Sequence, residues 1–199
     1  MVKILERYLF LQNGEFMRIY LDTGGFMALF SDGWNILKRE LSEEVIEKTI
    51  FCISPFTLEE FFFKICYEKS EKELVKKFCG TVEEKPEKRI SMFFKKFGKK
   101  FAGFLTGFEA IGIEKDIIFL FSNKDVLSSL TRDVKTYDIL HFLTALSNKL
   151  DGFLTVDKKF IRWVSKNKSL FERENIQNFK FFLLDTKKFS LEIQSFRDL

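Results

Sequence analysis

The sequence predicts an α/β protein, a three-layer α/β/α sandwich around a parallel central sheet. Short, nearly continuous apolar runs alternate along the chain with longer segments of helical periodicity, which is typical of strand–helix–strand units. Central parallel strands are covered by helices on both faces and therefore need apolar side chains on both faces. With 199 residues, 46% of them hydrophobic, the chain has the length for one buried core. We therefore expect a single domain over residues 1–199.

The individual elements follow from the same pattern. Five runs have strand character: Ile19–Leu21, Ile50–Ile53, Ile117–Phe121, Phe153–Val156 and Phe179–Leu184. Helical periodicity predicts helices at Trp34–Lys48, Leu58–Tyr67, Lys124–Leu130 and Tyr137–Leu150. The first 17 residues form an N-terminal extension, and the segment from about 71 to 115 is predicted to add helices that cover the sheet or form the wall of a groove. A linker between two domains is the less favoured alternative for that segment, which contains a single proline.

Composition excludes several classes of protein. No charge-free apolar run reaches the roughly 18 residues that a membrane span needs. The first 20 residues carry charged side chains where a secretory signal has its apolar centre, so we expect a cytoplasmic protein. The three cysteines, Cys52, Cys66 and Cys79, lack the close spacing of common zinc and redox motifs. They are expected to be reduced and mostly buried thiols.

Basic residues concentrate in two segments of the chain. Lysines are dense between residues 85 and 100, where Phe residues are interleaved with them, and again between residues 158 and 168. Such segments suit contact with a polyanion, although solvated helix faces give the same pattern. The net charge of +4 is modest and does not decide between the two interpretations.

Two acidic residues are predicted to meet at one edge of the sheet. Asp22 directly follows the first apolar strand and precedes Gly24 and Gly25, where the backbone has to turn. Asp157 follows the strand Phe153–Val156 in the same way. Ligand sites in open α/β sheets lie at the carboxyl ends of the strands. We therefore expect both carboxylates on the same side of the sheet.

Two further acids are expected near that edge. Asp138 opens the helix before the strand of Asp157, and Glu60 lies early in the helix after the second strand. Asp157 and Asp138 can each stabilise a helix N-terminus, and Thr57 with Glu60 matches a capping box. These structural roles leave unexplained why acids recur at corresponding ends of successive units, where repulsion raises their pKa values unless a cation is present. The pattern therefore favours a divalent-cation site.

Four segments resemble the motifs of the PIN-domain nucleases, a family that includes VapC-type toxins. Leu21–Phe26 (LDTGGF) is similar to the opening Asp-Thr motif, and Ser54–Glu60 (SPFTLEE) to the Glu-bearing segment. Tyr137–Ala145 (YDILHFLTA) resembles the third acidic motif and Gly152–Phe160 (GFLTVDKKF) the fourth. The spacing of the last two is the most specific signal. The resemblance becomes thin in the middle of the chain, which is longer there than in a compact toxin.

The resemblance implies a PIN-like fold with Asp22 and Asp157 after neighbouring central strands. It implies metal-dependent hydrolysis of phosphodiester bonds in single-stranded RNA, leaving a 5′-phosphate and a 3′-hydroxyl. The metal and catalytic residues would be Asp22, Glu60, Asp138 and Asp157, which would hold one or two Mg²⁺ or Mn²⁺ ions. The supporting residues around them would be Thr23, His141 and Thr155. The expected RNA-binding lysines are Lys95, Lys96, Lys99, Lys100 and Lys158.

Several alternatives stay open at the level of the sequence. Glu59 competes with Glu60, because neither lies on the apolar stripe of its helix, although the offset within the resembled motif favours Glu60. His141 is either a general base or, as we favour, a structural residue that supports the acids. The chain is either a nuclease, such as the toxin of a toxin–antitoxin pair, or a catalytically inactive PIN-like module for RNA binding or assembly. An antitoxin partner and a homodimer are further expectations, and a nucleotide-binding domain is disfavoured because no Gly-rich phosphate loop occurs.

Overall fold

A computed structural model of the chain describes residues 16–66, 72–80, 85–113, 134–171 and 176–199. The strands are β1 (Met17–Leu21), β2 (Thr49–Ile53), β3 (Phe108–Ala110), β4 (Gly152–Thr155), β5 (Lys180–Asp185) and β6 (Ser190–Ser195). The helices are α1 (Thr23–Ala28), α2 (Trp34–Glu40), α3 (Glu43–Glu47), α4 (Pro55–Cys66), α5 (Lys72–Cys79), α6 (Pro86–Leu105), α7 (Thr136–Ser147) and α8 (Lys158–Lys166). A π-helical turn, Leu29–Gly33, joins α1 to α2. None of the helices in these ranges is both long and apolar enough to cross a lipid bilayer.

The six described strands form one sheet in the order β3-β2-β1-β4-β5-β6. The first five are parallel to their neighbours, and β6 pairs with β5 in the antiparallel sense. Strands β1 and β4 are direct neighbours, with Leu21 opposite Leu154. Asp22 and Asp157 therefore leave adjacent central strands at the same edge, as the family resemblance implied.

Alternate side chains of the strands enter two separate cores, one on each face of the sheet. Ile19 and Leu21 of β1 belong to the core under α1, α4 and α6, whereas Tyr20 belongs to the core under α7 and α8. On β4, Leu154 lies in the first core and Phe153 in the second. Both faces of the central strands are thus buried, and the expected three-layer α/β/α sandwich is confirmed.

Phenylalanines dominate both cores. In the first core, Phe61 of α4 lies stacked on Phe101 of α6 with ring centroids 5.5 Å apart, and edge-on to Phe26 of α1 at 5.4 Å. In the second core, Phe142 of α7 meets Phe153 of β4 edge-on at 5.9 Å. Each such ring removes a large apolar area from water, and truncating one to Ala costs about 3–5 kcal/mol of stability. These rings fix α4 and α7 on opposite faces of the sheet, with their N-terminal ends near the carboxyl edge.

Several predicted elements differ from the structure. Five runs were predicted as strands of a parallel sheet, but β3 and the antiparallel β6 were not among them. Strand β3 has only three residues, and β6 is an edge strand of mixed polarity, SLEIQS, so neither gives the continuous apolar signal of a buried strand. The predicted helix Trp34–Lys48 is two helices, because Leu41 is extended and the Ser42 hydroxyl caps α3.

Other expectations concern the flanking and inserted segments. The predicted insertion from about 71 to 115 contains helices α5 and α6, as expected, and ends in β3. Val156 was assigned to a strand but lies beyond the end of β4 and is 41% exposed. The predicted strand Ile117–Phe121, the predicted helix Lys124–Leu130 and residues 1–15 of the N-terminal extension lie outside the described residues.

Candidate active site

Asp22 is the first acid of the site and also begins α1. Its Oδ1 atom accepts a hydrogen bond from the Gly25 backbone N–H at 2.6 Å, and its Oδ2 atom accepts one from the Thr155 hydroxyl at 2.5 Å. Burial raises the pKa of Asp22 to about 6 even though both hydrogen bonds favour the ionised form. Position 25 requires glycine, because a Cβ atom there would lie 2.5 Å from the Leu154 carbonyl oxygen. Helix α1 therefore starts in direct contact with β4 and brings Asp22 to Thr155.

Glu60 is buried beside Asp22 and is held from both sides of the sheet. Its Oε2 atom accepts hydrogen bonds from the Thr23 hydroxyl at 2.5 Å and from His141 Nε2 at 3.0 Å. Its Oε1 atom lies 3.0 Å from Lys64 Nζ. Burial alone would raise the pKa of Glu60, but the His141 hydrogen bond, the Lys64 charge and the Thr23 hydroxyl outweigh it and lower the pKa to about 2. The carboxylate is therefore strongly stabilised in its ionised form.

His141 joins the two faces of the sheet at this point. It lies on α7 and is fully buried, and its Nδ1 atom is 2.8 Å from the Tyr20 hydroxyl. An ionised carboxylate can only accept hydrogen bonds, so His141 Nε2 is the donor that faces Glu60. The Tyr20 hydroxyl also lies 2.6 Å from Ser54 Oγ. Because both ring nitrogens are engaged, the geometry supports the interpretation that His141 positions Glu60.

Asp157 and Asp138 lie at helix N-termini and are only half-buried. Asp157 caps α8, where its Oδ1 atom accepts from the backbone N–H of Lys159 at 2.7 Å and of Phe160 at 3.2 Å. Asp138 accepts a hydrogen bond from the Lys135 N–H at 2.7 Å. Both expected helix-terminus roles are thus present. The capping box expected for Thr57 and Glu60 is wrong, because Glu60 bonds to Thr23 and His141 instead.

Asp138 lies within reach of the charges of two other acids. Burial raises the pKa of Asp138, and the charges of Glu60 and Asp157 raise it further, while the Lys135 hydrogen bond offsets part of the effect. Thr155 links two of the segments directly, because its hydroxyl donates to Asp22 and accepts from the Asp157 N–H at 2.9 Å. The charges of Glu60, Asp22 and Asp138 also act together on the ammonium group of Lys64.

The carboxylates have the chemistry that a hard divalent cation needs, since Mg²⁺ and Mn²⁺ prefer oxygen ligands. In the arrangement described, however, no three His, Cys, Asp or Glu side chains of the described residues converge closely enough to hold an ion. Asp138 Oδ2 and Asp157 Oδ1 accept hydrogen bonds from backbone N–H groups at the N-termini of their own helices. The donor set thus fits a divalent cation in kind, and ligation by all four acids requires the carboxylates to move closer together than in the arrangement described.

The structure decides between Glu59 and Glu60, which the sequence left open, and it adds two residues that the sequence did not identify. Glu59 is exposed, whereas Glu60 is 7% exposed and accepts a hydrogen bond from Thr23, the residue after Asp22, so Glu60 and not its neighbour is the buried acid near Asp22. Tyr20 and Lys64 were not predicted. A lysine four residues after Glu60 on a helix is a recognisable signal, and so is a tyrosine in an otherwise apolar buried strand, since its hydroxyl needs a partner.

The predicted RNA-binding lysines lie in two places. Lys158 opens α8 beside Asp157, is exposed and forms a 3.2 Å ion pair with Glu192. The other four are exposed on α6: Lys95, Lys96, Lys99 and Lys100. Of these, Lys96 donates to the Lys77 carbonyl and lies over the Phe97 ring, and Lys100 donates to the Phe30 carbonyl and lies over the Phe30 ring. These two cover aromatic rings of the first core in addition to any contact with a polyanion.

A separate cavity of about 620 Å³ lies between α8, β5 and β6 and is lined by Arg162, Lys166, Lys180 and Asp198 among others. Lys180 begins β5, whereas the acid site lies beyond the carboxyl ends of the parallel strands. The cavity is therefore at the opposite edge of the sheet and is not part of the acid site.

Comparison with known proteins gives few matches. No family model matches the sequence, and no curated protein matches it. Among solved structures, the chain is similar to one described as VapBC2 from Rickettsia felis bound to a DNA fragment from the promoter. That similarity has a TM-score of 0.43 and 14% sequence identity, over 73% of this chain and 92% of the other. The functional argument therefore depends on the residues of the site themselves.

Proposed function

We propose that this chain is a divalent-metal-dependent ribonuclease that hydrolyses phosphodiester bonds of single-stranded RNA. One observation carries the proposal: Asp22, Glu60, Asp138 and Asp157 come from four separate segments and gather at one sheet edge. Asp138 lies within reach of the charges of Glu60 and Asp157, and Lys64 lies within reach of those of Glu60, Asp22 and Asp138. The hydrogen bonds of Asp22, Asp138 and Asp157 are explained by their positions at helix N-termini, but Glu60 does not cap a helix. Burying several acids together is unfavourable unless a cation compensates their charge.

The residues of the chain divide the proposed work among them. Bound Mg²⁺ or Mn²⁺ would supply a water of lowered pKa and neutralise charge on the phosphate. Asp22 and Glu60 would form the buried side of the cation site, held in place by Thr155, Thr23 and His141. Asp138 and Asp157 would complete it from the side that is open to solvent. A phosphodiester group would then approach over the helix N-termini of α7 and α8, whose backbone N–H groups favour anions.

The proposed activity can be tested with purified protein and a labelled single-stranded RNA. We expect cleavage with Mn²⁺ or Mg²⁺ and complete loss of cleavage after exhaustive treatment with EDTA. Glu60→Gln should lose activity, and Glu59→Gln is the matched control because the same change is made one residue away on an exposed position. Cleavage that survives chelation, or equal activity of the two variants, would contradict the proposal.

The alternative is a catalytically inactive PIN-like module that binds RNA or serves in assembly. One observation favours it, namely that Asp138 and Asp157 already stabilise helix N-termini. RNA binding without metal-dependent cleavage would decide for this alternative. A change in binding on addition of Ca²⁺ or Mn²⁺ would still indicate a cation site.

The family resemblance extends the proposal to partners. We propose that the chain binds an antitoxin protein, forms a homodimer and acts in the cytoplasm. A small antitoxin gene next to the gene of this chain would support the toxin role, and its absence would favour an RNA-processing enzyme. Light scattering at micromolar concentration tests the dimer, and a monomer would contradict it.

A further inference from the structure

The acid site contains a lysine of its own. Lys64 lies one helical turn after Glu60 on α4, and its Nζ atom is 3.0 Å from Glu60 Oε1. The side chains of the pair are only 23% and 9% exposed. A second Glu–Lys pair of the same spacing, Glu44 with Lys48, has its atoms 2.6 Å apart but is 59% and 45% exposed. The two pairs therefore have the same local geometry in very different surroundings.

The surroundings of Lys64 are acidic beyond its direct partner. Burial alone would lower the pKa of Lys64, but the charges of Glu60, Asp22 and Asp138 raise it above its ordinary value. Three of the four proposed metal ligands therefore act on this one ammonium group. In an exposed pair on a helix surface, each charge interacts mainly with its partner one turn away, and water screens that interaction.

The hydrogen bonds of Glu60 leave its Oε1 atom as the one that a cation can approach. Its Oε2 atom is already bonded to the Thr23 hydroxyl and to His141 Nε2. Its Oε1 atom faces Lys64. A cation that binds Glu60 without breaking the buried bonds to Thr23 and His141 must therefore approach Oε1, next to the ammonium group.

We propose that Lys64 is a tethered counter-ion of the acid site, which neutralises Glu60 in the metal-free protein and competes with a divalent cation for Glu60 Oε1. The inference rests on the proposed function, because it takes the four acids as metal ligands. It implies that Lys64 weakens metal binding while it stabilises the metal-free fold. A lysine that served only to stabilise α4 would affect the fold and leave metal affinity unchanged.

The test compares Lys64→Gln with Lys48→Gln in the full chain, without RNA. Mn²⁺ affinity is measured by titration calorimetry, and thermal unfolding is followed in EDTA. We expect Lys64→Gln to bind Mn²⁺ roughly tenfold more tightly, because a positive charge close to the ion is removed. In EDTA it should unfold at a lower temperature than the wild type, since Glu60 and its neighbours lose their counter-ion. Lys48→Gln should match the wild type in both measurements.

A second variant, Lys64→Met, keeps the length of the apolar stem and is used if the Gln variant does not fold. Wild-type protein that binds Mn²⁺ and cleaves RNA, with Lys64 variants that bind Mn²⁺ equally or more weakly, overturns the counter-ion role and leaves the proposed function standing. Absence of Mn²⁺ binding in the wild type and in both Lys64 variants overturns the counter-ion role and the metal mechanism together. Mn²⁺ binding by a Lys64 variant, without detectable binding by the wild type, supports the competition between Lys64 and the cation.

Discussion

The four acids of the site fall into two pairs that are held in different ways. The inner pair, Asp22 and Glu60, is buried and bonded mainly to side chains, whereas the outer pair, Asp138 and Asp157, is half-buried and bonded to backbone N–H groups of helix N-termini. Within the inner pair the pKa shifts are opposite. At Glu60 the effect of burial is outweighed by the His141 hydrogen bond, the Lys64 charge and the Thr23 hydroxyl, whereas at Asp22 burial outweighs the hydrogen bonds from Gly25 and Thr155. The pKa of a buried acid is thus decided by the balance between burial and its hydrogen-bonding and charged partners, and not by burial alone.

Replacing Asp22 tests the inner pair most strongly. Asp22→Asn should reduce metal-dependent cleavage by about a thousandfold or more, because it removes the charge of a carboxylate that we propose as a buried metal ligand. Without metal the variant should be as stable as the wild type or more so. The pKa of Asp22 rises from 3.8 to about 6 on folding, so the folded state binds the proton more tightly and loses stability as pH rises through that range.

The expected gain of Asp22→Asn is on the order of 3 kcal/mol above about pH 6 and vanishes below about pH 4. Chemical denaturation in EDTA at pH 4 and pH 7.5 measures it. An Asn variant that is less stable than the wild type at pH 7.5 would show that the ionised carboxylate stabilises the fold, contrary to this account.

Replacing Glu60 should give the opposite change in stability. The pKa of Glu60 falls from 4.5 to about 2 on folding, so its contribution is present above about pH 4.5 and is lost as pH falls toward 2. Glu60→Gln should therefore destabilise the metal-free protein at pH 7.5 by roughly 2–3 kcal/mol, since Lys64 and His141 lose an anionic partner. Denaturation in urea measures this difference. Equal stability of the Glu60 and Asp22 variants would remove the distinction within the inner pair.

The sequence predicted the acids at element boundaries more readily than the long-range contacts that hold Glu60. Asp22, Asp138 and Asp157 were recognisable because each lies at a boundary between two elements, and boundaries are marked locally by apolar runs and helix signals. The placement of Asp22 and Asp157 after neighbouring strands came from the family resemblance, and the structure has β1 and β4 side by side. The buried bonds of Glu60 to Thr23 and His141 join residues 37 and 81 positions apart, and no local pattern encodes such contacts. The same holds for the short β3 and for β6, whose pairing depends on the sheet edges that are left open.

Two substitutions of Asp157 should separate its role as a helix cap from its proposed role as a metal ligand. Asn is as good a helix N-cap as Asp, whereas Ala cannot accept the hydrogen bonds of Lys159 and Phe160. Asp157→Asn should retain wild-type stability within about 0.5 kcal/mol, and Asp157→Ala should lose about 1 kcal/mol. Both variants should lose metal-dependent cleavage. A fully active Asn variant would indicate that Asp157 acts only as a cap.

The smallest expected effect concerns the exposed lysines, and it extends the comparison from the acids to their neighbours. Lys64 beside the inner pair is enclosed, whereas Lys158 beside the outer pair is exposed and free to exchange Glu192 for a phosphate. Each phosphate contact that is lost lowers the slope of log affinity against log salt by about 0.7 for a single strand. Lys158→Ala should therefore flatten the salt dependence of RNA binding by about that amount, with stability changed by less than about 0.5 kcal/mol.

The lysines of α6 provide the matched comparison. The double variant Lys95→Ala/Lys99→Ala should flatten the slope by about 1.4 at constant stability, if both lysines contact phosphate. Lys96→Ala/Lys100→Ala should in addition lower the melting temperature, because those two side chains cover Phe97 and Phe30. Filter binding at several salt concentrations, together with thermal unfolding, distinguishes these outcomes. Unchanged slopes in both double variants would assign the α6 lysines to a solvated helix face and leave Lys158, next to Asp157, as the phosphate contact.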